Sequence, residues 1–291
     1  MRTPQLSSIC LMGVLLASEP TAAAAWPDPC VDPAACAIAY TGQRIAVDAD
    51  GNYNDPDDWA AAPMTLAILA RAGLQDKVVH YTFNNHLGAT DREWQAIMRF
   101  GTNQTGLRFG FDITRFYNAQ LPQRREAGLA NLRAEAERST ADDPLVIIAQ
   151  GPMQFLWQAL NGIPAETLRH VTVISHSLWN DLRVWPPAMT RTYEDLQALG
   201  VTWLRVTDQN GPASCPLLNT RQNFLPWDWL RTAAHEHLPW LYERLTLTGK
   251  GDVSDAGMAY FLVTGDAYGT ADKLRNFFGE WADGGAAERA R

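Results

Sequence analysis

Short runs of consecutive apolar residues recur along the chain, separated by longer segments in which apolar residues recur every three to four positions. Such continuous runs predict strands that are buried on both faces, and the intervening segments predict helices. The strand runs are residues 44–47, 78–83, 107–113, 145–149, 171–175 and 203–207. The helical segments are residues 57–72, 91–104, 123–138, 192–199 and a helix that follows Gly151-Pro152. The alternation predicts an α/β fold with a mostly parallel sheet and helices on both faces.

The first 25 residues have a different pattern. Arg2 precedes an apolar run from Ile9 to Ala17, and five small residues follow at positions 21–25. This pattern is typical of a secretory signal peptide, and we expect cleavage near Ala24 or Ala25. The protein is therefore expected to be secreted or periplasmic, with an irregular lead-in over residues 26–43 and one α/β domain over residues 44–291.

Three cysteines follow the predicted cleavage point. Cys30 and Cys36 lie in a proline-rich stretch that could close a local disulfide in an oxidising compartment. Cys215 would then be unpaired, although a bond from Cys215 to either of the other two stays open.

The composition excludes some classes of partner. The 291 residues are 46% hydrophobic, which is enough for a sizeable core, and the net charge is −8, from 24 basic and 32 acidic residues. No basic run is present, so we expect no nucleic-acid partner. No segment after the leader is long and apolar enough to span a bilayer, so we expect no membrane span. A small-molecule or carbohydrate substrate is the expected partner, and the sequence leaves the oligomeric state open.

Polar residues follow the predicted strands directly. Because ligands of parallel α/β sheets bind outside the carboxyl ends of the strands, these residues are expected to meet in one site. They are Asp48, Asp50, Asn84, Asn85, His86, Gln150, His176 and Asp208.

The loop after the first strand is strongly acidic. Five carboxylates lie within the eleven residues 48–58, and held together they would repel one another and raise each other's pKa. A hard cation would remove that cost, with Ca²⁺ preferred and Mg²⁺ second. The alternative is a solvated acidic turn in which Asp57 or Asp58 caps a helix.

Four segments resemble the nucleoside hydrolase superfamily. Residues 48–58 are similar to its amino-terminal Asp-x-Asp signature followed by an Asp pair. Residues 147–156 resemble its strand followed by Thr-Gly-Pro, the pair Asn84-Asn85 resembles its ribose-contacting Asn, and Asp255 resembles its late calcium ligand. The segments occur in the family's order and span most of the chain after residue 25.

The resemblance implies a calcium-dependent hydrolase of an N- or O-glycosidic bond. Asp50 would bind Ca²⁺ and act as general base on water at the metal, with Asp58, Asp255 and the Gln150 carbonyl as further ligands. The resemblance implies that Asp57 and Asn84 or Asn85 contact the substrate, and their positions at strand ends add His86 and His176 as candidate substrate-binding residues.

The chain also departs from the family pattern. Three extra residues separate Asp50 from Asp57, and Gln150 stands where the family usually has Thr. No residue matches the family's leaving-group acid, for which His86, His176 and Asp208 are candidates by position. A glycoside other than a nucleoside is therefore an open substrate class.

Two rival functions use the same residues. Residues 48–51 also resemble the first motif of haloacid-dehalogenase-like phosphatases, in which an Asp attacks phosphate beside Mg²⁺. A non-catalytic protein on the same calcium fold could instead bind carbohydrate through its tryptophans, six of which lie between Trp179 and Trp240.

Overall fold

The computed structural model describes residues 40–54, 56–211 and 217–284. It contains a six-stranded sheet in the order β3-β2-β1-β4-β5-β6, and every neighbouring pair is parallel. The strands are β1 (Arg44–Ala49), β2 (Val78–Phe83), β3 (Phe116–Asn118), β4 (Leu145–Gln150), β5 (Val171–Ser175) and β6 (Thr202–Arg205). The predicted α/β fold with a parallel sheet is confirmed.

Both faces of the sheet are covered, which explains the continuous apolar strands. In β1 all six residues are buried. Ile45 and Val47 belong to the hydrophobic core on one face, whereas Ala46 between them belongs to the core on the other. A strand in this position needs an apolar side chain at every residue and not at every second one.

The helices divide between the two faces. They are α1 (Asp58–Arg71), α2 (Arg92–Arg108), α3 (Pro122–Glu137), α4 (Gln154–Leu160), α5 (Ala165–Leu168), α6 (Leu178–Leu182), α7 (Tyr193–Leu199), α8 (Leu238–Leu247), α9 (Gly257–Thr264), α10 (Ala271–Phe278) and α11 (Glu280–Asp283). Helices α1, α2, α8, α9 and α10 contribute to the core that contains Ile45. Helices α3, α4 and α7 contribute to the core that contains Ala46.

Helix α1 is buried along almost its whole length and carries a proline, Pro63, in its interior. A proline there has no N–H for the carbonyl four residues earlier, which is that of Trp59. Arg244 on α8 supplies the missing donor, because its Nε lies 3.2 Å from the Trp59 carbonyl oxygen. The interior proline is thus tolerated because a side chain from another helix replaces the lost hydrogen bond.

The strand order of the sheet reverses between the neighbouring strands β1 and β4. The first three strands extend the sheet on one side, and after β3 the chain returns to add the remaining strands on the other side of β1. Strands β2 and β3 lie on one side of β1, and β4, β5 and β6 lie on the other. Ala49 pairs with Gln150 at the carboxyl ends of the two central strands. A switch point of this kind opens a crevice at the carboxyl edge, which is where open α/β sheets bind ligands.

One predicted strand is wrong. Residues 107–113 were expected to be extended, but α2 continues to Arg108, and the third strand is Phe116–Asn118. The continued helix packs closely on β3 at Gly106, where a Cβ would lie 2.6 Å from the Phe116 ring. This tertiary contact outweighs the extended structure that the apolar residues alone had suggested. The other predicted strands, and the four helices for which a range was predicted, agree with the structure to within about four residues.

Several predictions fall on residues outside those described. They are the signal peptide, most of the lead-in and the three cysteines that follow the signal peptide, Cys30, Cys36 and Cys215. Within residues 40–54, 56–211 and 217–284, no helix is long and apolar enough to cross a membrane.

Candidate active site

Asp50 follows β1 directly, and a glycine turn holds it against the start of α1. The Gly51 N–H donates to Asp50 Oδ1 at 2.7 Å, and Trp59 Nε1 donates to the Gly51 carbonyl at 2.6 Å. Gly51 has φ +70°, and a Cβ there would lie 2.6 Å from Met98 Sδ and 3.0 Å from the Asp58 Cβ. Only glycine fits this close approach of the loop to the helix.

Burial and neighbouring charges act together on Asp50. Its side chain is completely buried, and this burial raises its pKa. A hydrogen bond shared with Asp58 and the one from Gly51 lower the pKa, but the charges of Asp255 and Asp57 raise it, with the result at about 7. The structure therefore brings four of the predicted acidic residues into one electrostatic group.

A cavity of about 240 Å³ opens beside this group. Its walls are mostly polar, which suits a ligand with many hydroxyl groups. The lining residues are Asn54, Asp57, His176, Ser177, Trp179, Asn180, Asn210, Asn219, Lys250, Asp252, Ser254 and Asp255. Asp57, Asp255 and His176 therefore line the cavity. Asp50 and Asp58 do not line it, and Asp50 is connected to the cavity wall through its electrostatic interactions with Asp255 and Asp57.

Two residues that were not among the predicted ligands or substrate contacts lie near Asp57 on the wall. In the sequence they had resembled only the later Lys and acidic motif of the haloacid-dehalogenase alternative. Lys250 Nζ lies 3.6 Å from Asp57 Oδ1. Asp252 is buried and accepts a 3.0 Å hydrogen bond from the Ser254 N–H. Burial, followed by the Asp57 charge, raises the pKa of Asp252 to about 7. Burial and the Asp57 charge therefore favour the protonated form of a carboxyl on the cavity wall.

His176 lies between two carboxylates. Its Nε2 hydrogen-bonds Asp255 Oδ1, and its Nδ1 lies 3.4 Å from Asp208 Oδ1. Burial lowers the pKa of His176, but the hydrogen bonds and charges of Asp208 and Asp255 outweigh it and raise the pKa to about 10. The two carboxylates therefore favour the charged form of His176, while the Gln209 N–H also lies 3.3 Å from its Nδ1. Asp208, which its strand-end position had made a candidate leaving-group acid, is instead a partner of His176.

The two asparagines after β2 are held by the protein and do not line the cavity. Asn84 Nδ2 donates to Asn118 Oδ1 at 3.1 Å and to the Gln95 carbonyl at 3.2 Å. Asn85 Nδ2 donates to Asp48 Oδ2 at 2.7 Å. Both asparagines are completely buried. The amide nitrogens of both side chains are therefore used within the protein, and in this structure neither residue faces the cavity.

His86 is also removed from the cavity. It is completely buried and packs on Tyr53, at 4.5 Å between ring centroids, and edge-on to Trp185, at 5.2 Å. Burial, and then the charge of Arg183, lower the pKa of His86 to about 4. The neutral ring accepts a hydrogen bond of 3.3 Å from Arg183 Nε.

A second, larger cavity of about 600 Å³ lies away from the strand ends, beside α10 and α11. Its charged groups are largely occupied with one another: Arg275 pairs with Asp283 at 2.7 Å, and Arg231 with Asp228 at 3.5 Å. None of the residues at the strand ends lines it. The smaller cavity is therefore the candidate active site.

The oxygen atoms around Asp50 suit a hard cation by their chemistry. Asp50 Oδ2, Asp48 Oδ1 and Gln150 Oε1 are buried and receive no hydrogen bond from a described residue. The Gln150 side chain is held in place by a 2.6 Å hydrogen bond from its Nε2 to Thr65 Oγ1. The Gln150 backbone carbonyl, which the resemblance implied as the ligand, accepts a 3.3 Å hydrogen bond from the Asp50 N–H. Buried acceptors without donors are costly, and a cation would satisfy them. Among the described residues, however, no three His, Cys, Asp or Glu side chains are already arranged as a metal site.

No family model matches the sequence. No solved structure matches it either. The chain is similar to a protein of Formosa agariphila, Uncharacterized protein P22, with 29% identity over 244 residues. The similarity covers 78% of this chain and 85% of that protein, so it extends over most of both.

Proposed function

We propose that the protein is a hydrolase that cleaves an N- or O-glycosidic bond at a calcium site built on Asp50. The observation that carries the proposal is the completely buried Asp50 carboxyl at the switch point of the sheet, grouped with Asp58, Asp57 and Asp255 beside a polar cavity. Asp50, Asp58, Asp255 and Gln150 are the oxygen ligands that we assign to the ion. Their resemblance to the calcium residues of nucleoside hydrolases supports the same assignment.

The ion's contribution would be electrostatic. When bound, Ca²⁺ would offset the repulsion among these carboxylates and make a nearby water molecule more acidic. The protein's own residues then divide the remaining work. Asp50 removes a proton from the water, whose oxygen forms a bond to the anomeric carbon as the bond to the leaving group breaks.

The leaving group needs a proton, and we assign its delivery to Asp252. This carboxyl lies on the cavity wall, and its pKa of about 7 leaves it partly protonated at neutral pH. His176 is the poorer donor, because both of its ring nitrogens face carboxylates. We assign Asp57, which is exposed to the cavity and paired with Lys250, to a sugar hydroxyl.

Calcium dependence agrees with the predicted secreted or periplasmic location, because calcium modules outside the cell work at millimolar Ca²⁺. The haloacid-dehalogenase alternative receives less support. A nucleophilic Asp has to contact the phosphorus directly, and neither Asp48 nor Asp50 lines the cavity. A general base such as Asp50 acts on a water molecule that lies between it and the substrate, so it does not itself have to line the cavity.

One observation favours a second candidate function, a carbohydrate-binding protein without turnover. Trp179 lies on the cavity wall and is 39% exposed, so its ring is open to a sugar face. The two functions are separated by one screen. Nucleosides, aryl glycosides and oligosaccharides are incubated with the protein in calcium and in EGTA, and the released base or reducing sugar is measured. Calcium-dependent release supports the hydrolase, and binding without release in either buffer supports the alternative.

A further inference from the structure

The guanidinium group of Arg183 is enclosed by aromatic rings next to the cavity. Arg183 directly follows α6, the helix that comes after β5 at the carboxyl edge of the sheet. Its Cζ lies 4.7 Å from the Trp179 ring centroid, 5.2 Å from that of Trp185 and 5.5 Å from that of Tyr53. Contacts of this kind fix the plane of the guanidinium group without neutralising its charge.

The hydrogen-bonding capacity of Arg183 is mostly unused. Nε donates to His86 Nε2, and within the part of the chain that the structure describes the Nη atoms donate to no acceptor. None of the described carboxylates pairs with Arg183 either, although the similarly half-buried Arg191 and Arg205 pair with Asp195 and Asp181. The residue is half-buried. Its Nη atoms are not among the buried polar atoms that lack a partner, so they are open to solvent.

The surroundings point to a sugar ligand. Trp179 connects this group to the cavity, because its ring lies on the cavity wall and against Arg183 at the same time. Leu178, Leu182 and Val184 around it are each more than 40% exposed. An apolar, aromatic surface beside a fixed cation matches a sugar ring that carries a negative group, since the ring face stacks and the anion takes a forked pair of N–H bonds.

We propose that Arg183 and Trp179 form a subsite for an anionic sugar, one that carries a carboxylate or a sulfate group. The subsite would select uronic or sulfated glycosides as the substrates of the neighbouring cavity, and in that respect it rests on the proposed function. The recognition itself is a binding event that does not depend on hydrolysis.

The test is a calorimetric titration of the full-length protein with three single sugars: D-glucuronate, D-glucose 6-sulfate and D-glucose. We expect at least one anionic sugar to bind more tightly than glucose. Arg183→Met should weaken that binding about 10–100-fold, the equivalent of one hydrogen bond to a charged group, and leave glucose binding unchanged. Arg183→Lys keeps the charge but not the fork, and it should give an intermediate loss.

Arg108→Met is the matched control. Arg108 lies 4.7 Å over the Trp240 ring, the same distance as Arg183 over Trp179, but it is exposed and outside the cavity. The Arg108→Met variant should bind each of the three sugars with the same affinity as the wild-type protein. If Arg183→Met unfolds, Arg183→Lys and Trp179→Phe carry the comparison, with thermal melting as the check on folding.

The outcomes are distinct. Preference for glucuronate alone, for the sulfate ester alone or for both supports the subsite and identifies the anion. The subsite is contradicted if glucose binds as tightly as both anionic sugars, or if a folded Arg183 variant binds the anionic sugars as tightly as the wild-type protein. It is also contradicted if neither anionic sugar binds at tens of millimolar. None of these results depends on turnover, so the subsite can fail while hydrolysis is demonstrated, and it can stand if no hydrolysis is found.

Discussion

His176 Nε2 and Asp255 Oδ1 share a hydrogen bond in the interior, where the imidazole is almost completely shielded from water and the carboxylate nearly so. The bond gives Asp255 a fixed positive neighbour. It leaves one oxygen of Asp255 for another partner, and Asp255 is also one of the charges that raise the pKa of Asp50. The pair therefore links the cavity wall to the buried acidic group.

Loss of the imidazolium should be costly. His176→Gln leaves the Asp255 carboxylate buried without its cation, so we expect the free energy of unfolding to fall by about 3–5 kcal/mol in urea titrations. His170→Gln is the control, because His170 precedes β5 at the opposite edge of the sheet and its side chain hydrogen-bonds only to Arg169, at the surface. It should change stability by no more than about 0.5 kcal/mol. Equal effects of the two substitutions would contradict the buried ion pair.

Calcium should stabilise the protein more at high pH than at low pH. Without a cation, burial and the neighbouring carboxylates raise the pKa of Asp50 from 3.8 to about 7. The folded state then binds a proton more tightly than the unfolded state, so its stability falls as the pH rises from about 4 to 7, by up to about 4 kcal/mol. Bound calcium would remove this penalty.

The calcium-induced rise in Tm should therefore increase between pH 5 and pH 8, and calcium binding near pH 6 should release protons. Melting curves in millimolar calcium and in EGTA measure the first effect. Asp58→Asn should need more calcium for the same shift. A shift that does not depend on pH, or no shift at all, counts against calcium at Asp50.

Gly51 should be required for the site as well as for the fold. Gly51→Ala combines a strained positive φ with a Cβ 2.6 Å from Met98 Sδ, so the loop has to move away from α1. Gly249 has the same φ, +70°, but open space around it, so Gly249→Ala isolates the backbone cost of about 1–2 kcal/mol. We expect Gly51→Ala to lose more stability than this control and to lose the calcium-induced shift in Tm, which Gly249→Ala should retain.

Asp252 should matter most for poor leaving groups. Asp252→Asn keeps the shape of the side chain but cannot deliver a proton, so kcat should fall about 10²–10⁴-fold on an alkyl glycoside. A nitrophenyl glycoside with the same sugar needs little protonation and should be affected far less. The loss of kcat on the alkyl glycoside relative to that on the nitrophenyl glycoside tests whether Asp252 protonates the leaving group. An equal loss on both substrates would assign Asp252 to binding or structure.

The fold could be predicted from the sequence because each central strand is buried on both faces, which leaves an unbroken apolar run such as residues 145–149. The short edge strand Phe116–Asn118 could not be predicted in this way. It has only three residues, and the apolar residues before it, including Leu107, continue or follow the α2 helix. Periodicity is weak evidence for segments of this length.

The site was predictable in part. The strand ends identified Asp50, Gln150 and His176, because parallel strands bring their carboxyl ends together. Their roles depended on side-chain direction, which the sequence does not contain. Asn84 and Asn85 turn into the protein, whereas Asp252 and Lys250, from a loop more than 190 residues after Asp50, turn into the cavity.

The most direct measurement is the turnover number of Asp50→Asn on whichever glycoside the screen identifies, in saturating calcium. Asn has the size of Asp but cannot take a proton, so kcat should fall about 10²–10⁴-fold in a folded protein, while KM changes little. Asp272→Asn, on α10, should retain full activity. If Asp50→Asn hydrolyses the substrate as fast as the wild-type protein, Asp50 is not the base and the proposed mechanism is wrong.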